Sequence, residues 1–241
     1  ILTGTTAAEC APFFFLIWKN DRKYALIGLV AMLAIIYFSA SSTPIGSLLL
    51  GLLAMALWTQ RSRIKEIFIF ISIILFILHF IKERPIWYLI ALTDFTGGST
   101  GWHRSYLIDM AIAHLNEWWL WGTDYTRHWM PYGLPTQPNH SDLTNYYIAL
   151  GVTGGMPLVI CLLLILARAF QILYDKLKVA TPDNKFLIWS IGATLFTHSI
   201  TFLTISYFDN TYILFYFLIA TISTMEKQNF ALIKDARSAE A

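Results

Sequence analysis

Charge is what this chain most conspicuously lacks. Asp, Glu, Lys and Arg make up 13% of its 241 residues, about half the roughly 25% of a soluble domain. With 56% hydrophobic residues and a mean hydropathy of +0.56, that scarcity excludes an ordinary soluble fold, and no nucleic-acid partner is expected. Cysteine is almost absent as well. Cys10 and Cys161 both fall in apolar stretches, far from any zinc or disulfide spacing, and read as buried inert thiols. There is no internal repeat, no low-complexity tract and no basic leader. The chain opens Ile-Leu-Thr-Gly without Met, and reads as the C-terminal part of a longer membrane protein.

What is present is a series of long uncharged runs, the mark of a multi-pass membrane protein. Residues 1–18 look like a truncated span that ends on Trp18 and the basic group Lys19, Arg22 and Lys23. Tyr24 to Gln60 carries no charge for 37 residues, too long for one crossing. Ser39 to Pro44 interrupts it, which predicts helices over 24–39 and 44–60. Further helices are expected over 67–81 and 146–167, with a last hairpin, 186–208 and 211–225, turning at Asp209 and Asn210. The division is 1–81 transmembrane, 82–143 loop, 144–225 transmembrane and 226–241 a polar, fraying cytoplasmic tail.

If these segments alternate, one side receives 13 of the 17 Lys and Arg residues. The other receives only Lys82, Arg84, Arg104 and Arg127, all in the long loop. The positive-inside rule puts the thirteen in the cytoplasm and the loop outside.

That loop holds six of the nine tryptophans and four of the six histidines. Thr96 to Gly101 reads as a flexible turn. From Trp102 to Trp121 apolar residues recur at helical spacing, which predicts one amphipathic helix at the membrane surface. Gly122 ends it, and Thr123 to Pro138 is aperiodic and aromatic.

His140 is the strongest single candidate: a histidine where the loop re-enters the membrane can act as a general base near neutral pH. Arg104, Arg127 and Arg84 are candidate phosphate ligands, because a guanidinium binds phosphate bidentately. Arg104 also opens the predicted helix, where an anion is favoured. Trp129 suits a sugar ring. Gly151 and Gly155 form a small-xxx-small pair that suits close helix packing. His103, Asp109 and His114 fall on different helix faces, so no shared metal is expected. His79 and His198 lie in membrane segments and read as hydrogen-bonded neutral side chains.

Taken together these features resemble the O-antigen ligase and O-antigen polymerase superfamily of bacterial membrane glycosyltransferases. Ligases of that family carry His, then Asn, Ser or Gln, nine residues, Gly, two residues, and Gly, Thr or Tyr. His140-Ser141, the nine residues from Asp142 to Leu150, and Gly151 to Gly154 meet that pattern at every position. Thr100-Gly101 followed by Arg104, a helix and Gly122 is similar to the family's loop, with the basic residue two positions later. The Ser39–Pro44 turn resembles its Thr-x-Ser-Arg region without the Arg.

The resemblance, over residues 24–225, implies an all-α, GT-C-like polytopic helix bundle in the bacterial inner membrane with a periplasmic loop. The donor would be a glycan on undecaprenyl diphosphate, and the acceptor lipid A core or a growing glycan, with membrane lipids around the site. The implied catalytic residues are His140 and Arg104. Arg127, Arg84, Trp129, Gly151 and Gly154 would bind substrate, with no metal or cofactor. The alternative is a transporter or export component for a polysaccharide or lipid-linked glycan, with the loop as its outer gate.

Overall fold

The computed structural model describes residues 1–93, 100–131, 133–134, 137–208 and 211–239. The described residues are 82% helical. The helices are α1 (Leu2–Glu9), α2 (Ala11–Asn20), α3 (Arg22–Ser39), α4 (Ser42–Ala56), α5 (Ile64–Ile81), α6 (Thr100–Ala113), α7 (Leu115–Trp118), α8 (Tyr146–Val179), α9 (Pro182–Thr201) and α10 (Tyr212–Ala239). The fold is compatible with the expected all-α class; a small antiparallel ribbon, β1 (Gly133–Leu134) and β2 (Gln137–Ser141), is set into the loop, and His140 lies on it. The Thr96–Gly101 turn falls largely, and the Asp209–Asn210 turn wholly, outside the described residues.

Among the described residues, three helical stretches are long and apolar enough to cross a membrane: Arg22–Ser39, Ser42–Ile81 and Tyr146–Val179. Tyr212–Glu226 is apolar but shorter. The second stretch folds back on itself at the 3-10 turn Leu57–Arg63. Going down α4, Ser47 meets Thr201, the Ala54 carbonyl accepts from Trp189, and Trp58 meets Phe186, so α4 and α9 run antiparallel. Phe68 of α5 then meets Phe196, which brings the chain back up the same helix. Phe70, Phe76, Phe80 and Ile81 of α5 are exposed, as are Tyr37 and Phe38 of α3. A helix apolar all round and uncovered by protein is suited to a lipid surround rather than to water.

Local chemistry sets most boundaries. The Asp21 carboxylate accepts from the Lys23 and Tyr24 amides and caps α3. Ala40 takes a left-handed conformation, φ 44°, and stops it. Helix α4 then starts at Ser42, two residues before the expected Pro44. Two other expectations need correction. Helix α9 stops at Thr201 rather than running to Phe208, and α10 continues to Ala239 through the segment expected to fray. Cys161 is exposed on α8 rather than buried.

The expected single helix over 102–121 is two, broken at His114. Leu107, Ala111 and Trp118 pack with Trp129, Met130 and, from α8, Ile148, Val152 and Val159 into one core. Trp102, Trp119 and Trp121 stay outside, as interfacial anchors do.

The seat for this loop is a break in α8. Gly154 and Gly155 leave the helical conformation, Gly155 at φ 72°, two residues before Pro157. A break releases backbone groups that need partners. The Thr123 amide donates to the Val152 carbonyl at 2.8 Å, and the Met156 amide donates to the Trp119 carbonyl at 2.7 Å. A Cβ on Gly151 would strike the Trp118 ring, and one on Gly155 would lie 2.3 Å from the Leu120 carbonyl oxygen. Both glycines therefore admit the loop, not a second membrane helix. Gly155→Ala is expected to destabilise the protein by about 1–3 kcal/mol from backbone strain alone, read as a lower Tm in detergent. Gly154→Ala meets only the Leu158 side chain of its own helix, so its shift should be clearly smaller.

Candidate functional site

Arg104 is 5% exposed, which is unusual for a guanidinium. Its Nη2 donates to Thr43 Oγ1 at 2.8 Å, in the first turn of α4. Both residues line a cleft of about 360 Å³ between α4, α9 and the 3-10 segment Ile86–Thr93, where Ser42, Ser47, Thr201 and Thr204 add hydroxyls to an otherwise apolar wall. The positive end of the α4 dipole and the Arg104 charge thus converge at one place. Anion binding is the chemistry this pairing favours.

His140 is half-buried on β2. Its Nδ1 lies 3.4 Å from Thr126 Oγ1, and the same hydroxyl accepts the Ser141 amide at 3.0 Å. Thr126, fully buried, also donates its own amide to the Asn139 carbonyl at 2.9 Å. One threonine therefore holds three consecutive residues of the strand. The strand is tied to α6 by His103, whose Nε2 is 3.2 Å from the Asp142 carbonyl oxygen. His103 precedes Arg104 and Asp142 follows His140 by two, so the two ends of the loop are joined.

The remaining candidates are placed differently. Arg127 turns onto its own loop, donating to the Met130 carbonyl at 3.0 Å and reaching the Pro131 carbonyl at 3.5 Å. Arg84 is exposed and stacks over Tyr88. Trp129 is 1% exposed, so its faces are core packing, and its Nε1 donates to Glu117 at 3.0 Å. Gly151 and Gly154 serve the loop seat. Neither His140 nor any of these five lines the Arg104 cleft.

Glu117 is a hub that the sequence spacing did not reveal. His114 Nδ1 at 2.7 Å and His128 Nε2 at 3.0 Å share its Oε1, while Trp129 holds Oε2. Desolvation pulls its pKa upward, but hydrogen bonds from Trp129, His128 and His114 outweigh that and hold it at about 2. Asp109, set beside His103 and His114 in the sequence, instead accepts from Trp87 Nε1 and Tyr88 Oη, and that bond pushes the Tyr88 hydroxyl pKa up.

A second cluster was also missed. Glu9 and His198 are fully buried, with Oε1 3.2 Å from Nδ1, and Tyr207 bonds to both. His198 is hydrogen-bonded as expected, but its carboxylate partner comes from the α1–α2 junction. The signal was a lone Glu in an apolar run. Comparison with known protein families, curated proteins and solved structures returns no match.

Proposed function

We propose that this chain is a membrane glycosyltransferase of the O-antigen ligase or polymerase type. It moves a glycan from undecaprenyl diphosphate to an acceptor hydroxyl at the periplasmic face of the bacterial inner membrane. The segments before residue 82 and after 144 form its polytopic bundle, and the loop between them faces the periplasm. The observation that carries this reading is the buried Arg104 at the α4 N-terminus, lining a cleft open among apolar helices and joined through His103 to the strand of His140.

In this scheme the diphosphate rests against Arg104 and the first turn of α4, with its lipid chain along the cleft's apolar wall. The acceptor oxygen attacks the anomeric carbon. Its proton passes to His140 Nε2, while Nδ1–H points to Thr126 Oγ1 and fixes the ring. The bond from the anomeric carbon to the phosphate oxygen breaks, and its electron pair leaves with the lipid diphosphate. Arg104 stabilises the charge that grows there. Arg127 and Trp129 shape the loop that presents His140 and do not touch the diphosphate.

The export reading gains two specific observations. The buried Glu9–His198–Tyr207 cluster and the broken α8 are features of the kind transport proteins use. Proteoliposomes holding a lipid-diphosphate glycan and a defined acceptor separate the two. The proposal expects a glycosylated acceptor. Net movement of lipid-linked glycan with no transferred product would overturn it.

A further inference from the structure

We propose that His114, Glu117 and His128 form a zinc site on the loop, separate from the transfer centre. His114 Nδ1, His128 Nε2 and a Glu117 oxygen lie within 4.8 Å of one another. Two edges of that triangle, 2.7 and 3.0 Å, are already near the separation of roughly 3.4 Å that two ligands adopt around zinc at about 2.0–2.1 Å.

The chemistry of the donors selects the ion. Two imidazole nitrogens disfavour calcium and magnesium, which take oxygen, and without thiolate the set suits zinc. Two His and one Glu leave a fourth position for water. The three side chains are 29%, 29% and 38% exposed, enough for entry of an ion and for that water.

The surroundings hold the ligands in advance. Trp129 Nε1 fixes Oε2 and leaves Oε1 for the metal, the kind of outer partner that orients a ligating carboxylate. The His114 ring stacks on buried Trp129 at 10° between planes, and Tyr125 stacks on His128 at 12°. Zinc would replace the protons these nitrogens now direct at Oε1, each imidazole binding as the neutral tautomer with its hydrogen on the other ring nitrogen.

The site spans two segments. His114 and Glu117 sit at the α6–α7 break, and His128 is two residues after Thr126, which holds His140. Zinc therefore fastens the His140 segment to the end of α6, the helix that carries Arg104.

The test is metal binding by the purified chain in detergent, free of any histidine tag. Equilibrium dialysis with zinc chloride is expected to give one ion per chain, and Co2+ to give the intense visible bands of a four-coordinate site. His128→Ala and Glu117→Gln should each weaken zinc binding at least about tenfold, and Trp129→Phe about tenfold through the outer partner. His140→Ala should bind zinc as the parent does. Absence of stoichiometric zinc in the unaltered protein, or binding unchanged in the His128 and Glu117 variants, would overturn the site. The measurement on the unaltered chain decides the matter even if a variant fails to fold.

Discussion

Arg104→Ala is expected to reduce glycan transfer by about 100- to 1000-fold, the usual loss when one preorganised donor to a developing anion is removed. The physical basis is burial. At 5% exposure the guanidinium sits away from water, where its charge acts through a lower effective dielectric than at the surface. It is held by Thr43 beside the amide-rich end of α4, so it is already in place when the leaving group takes up charge. Arg104→Lys should recover only part of the rate, because an ammonium is a point charge without the planar fork. Thr43→Ala removes one hydrogen bond and leaves the charge, so its effect should be the mildest of the three. Steady-state transfer at saturating donor, with gel filtration and thermal unfolding confirming each variant's fold, makes the comparison. Near-parent activity in Arg104→Ala would remove it from the site.

The largest stability effect is expected at Glu9. Glu9 Oε1, His198 Nδ1 and Tyr207 Oη bond to one another inside the bundle, and Glu9 and His198 have no exposure at all. Glu9→Ala removes the carboxyl oxygen that both the imidazole and the phenol meet and leaves them only each other. Breaking a buried pair by removing one partner typically costs about 3–5 kcal/mol. Glu9→Gln keeps an acceptor oxygen for Tyr207 and should lose clearly less. Thermal unfolding in detergent checks both, and a Glu9→Ala protein with the parent Tm would show that the cluster does not hold α1 to α9.

The apolar helices were legible because their information is local. Long uncharged runs, the Ser39–Pro44 interruption and Gly122 each act within a few residues, and the helices of 22–39 and 42–56 follow from them. Helix ends were less legible where tertiary bonds decide them. The α8 break draws its partners, Thr123 and Trp119, from 29 and 37 residues away in the sequence. For the same reason Gly151 and Gly155 looked like a helix–helix contact when they in fact receive a loop.

Site residues divide in the same way. His140 and Arg104 stood out by type and position, and contacts between the loop's two ends join their segments. Their holders were invisible: Thr126, Thr43 and Glu117 are ordinary residues in sequence, and only the fold gives them partners. Arg127 and Trp129 show the converse. Both are of the right chemical type, yet backbone carbonyls claim the first and core packing the second.

The most direct test of the central claim is transfer from a lipid-diphosphate glycan to a defined acceptor by purified protein, parent against His140→Ala. Parent protein should form the glycosylated acceptor. The His140→Ala chain, inserted and folded as the parent is, should form essentially none. Transfer at the parent rate by His140→Ala, or no transfer by either protein, would contradict the account.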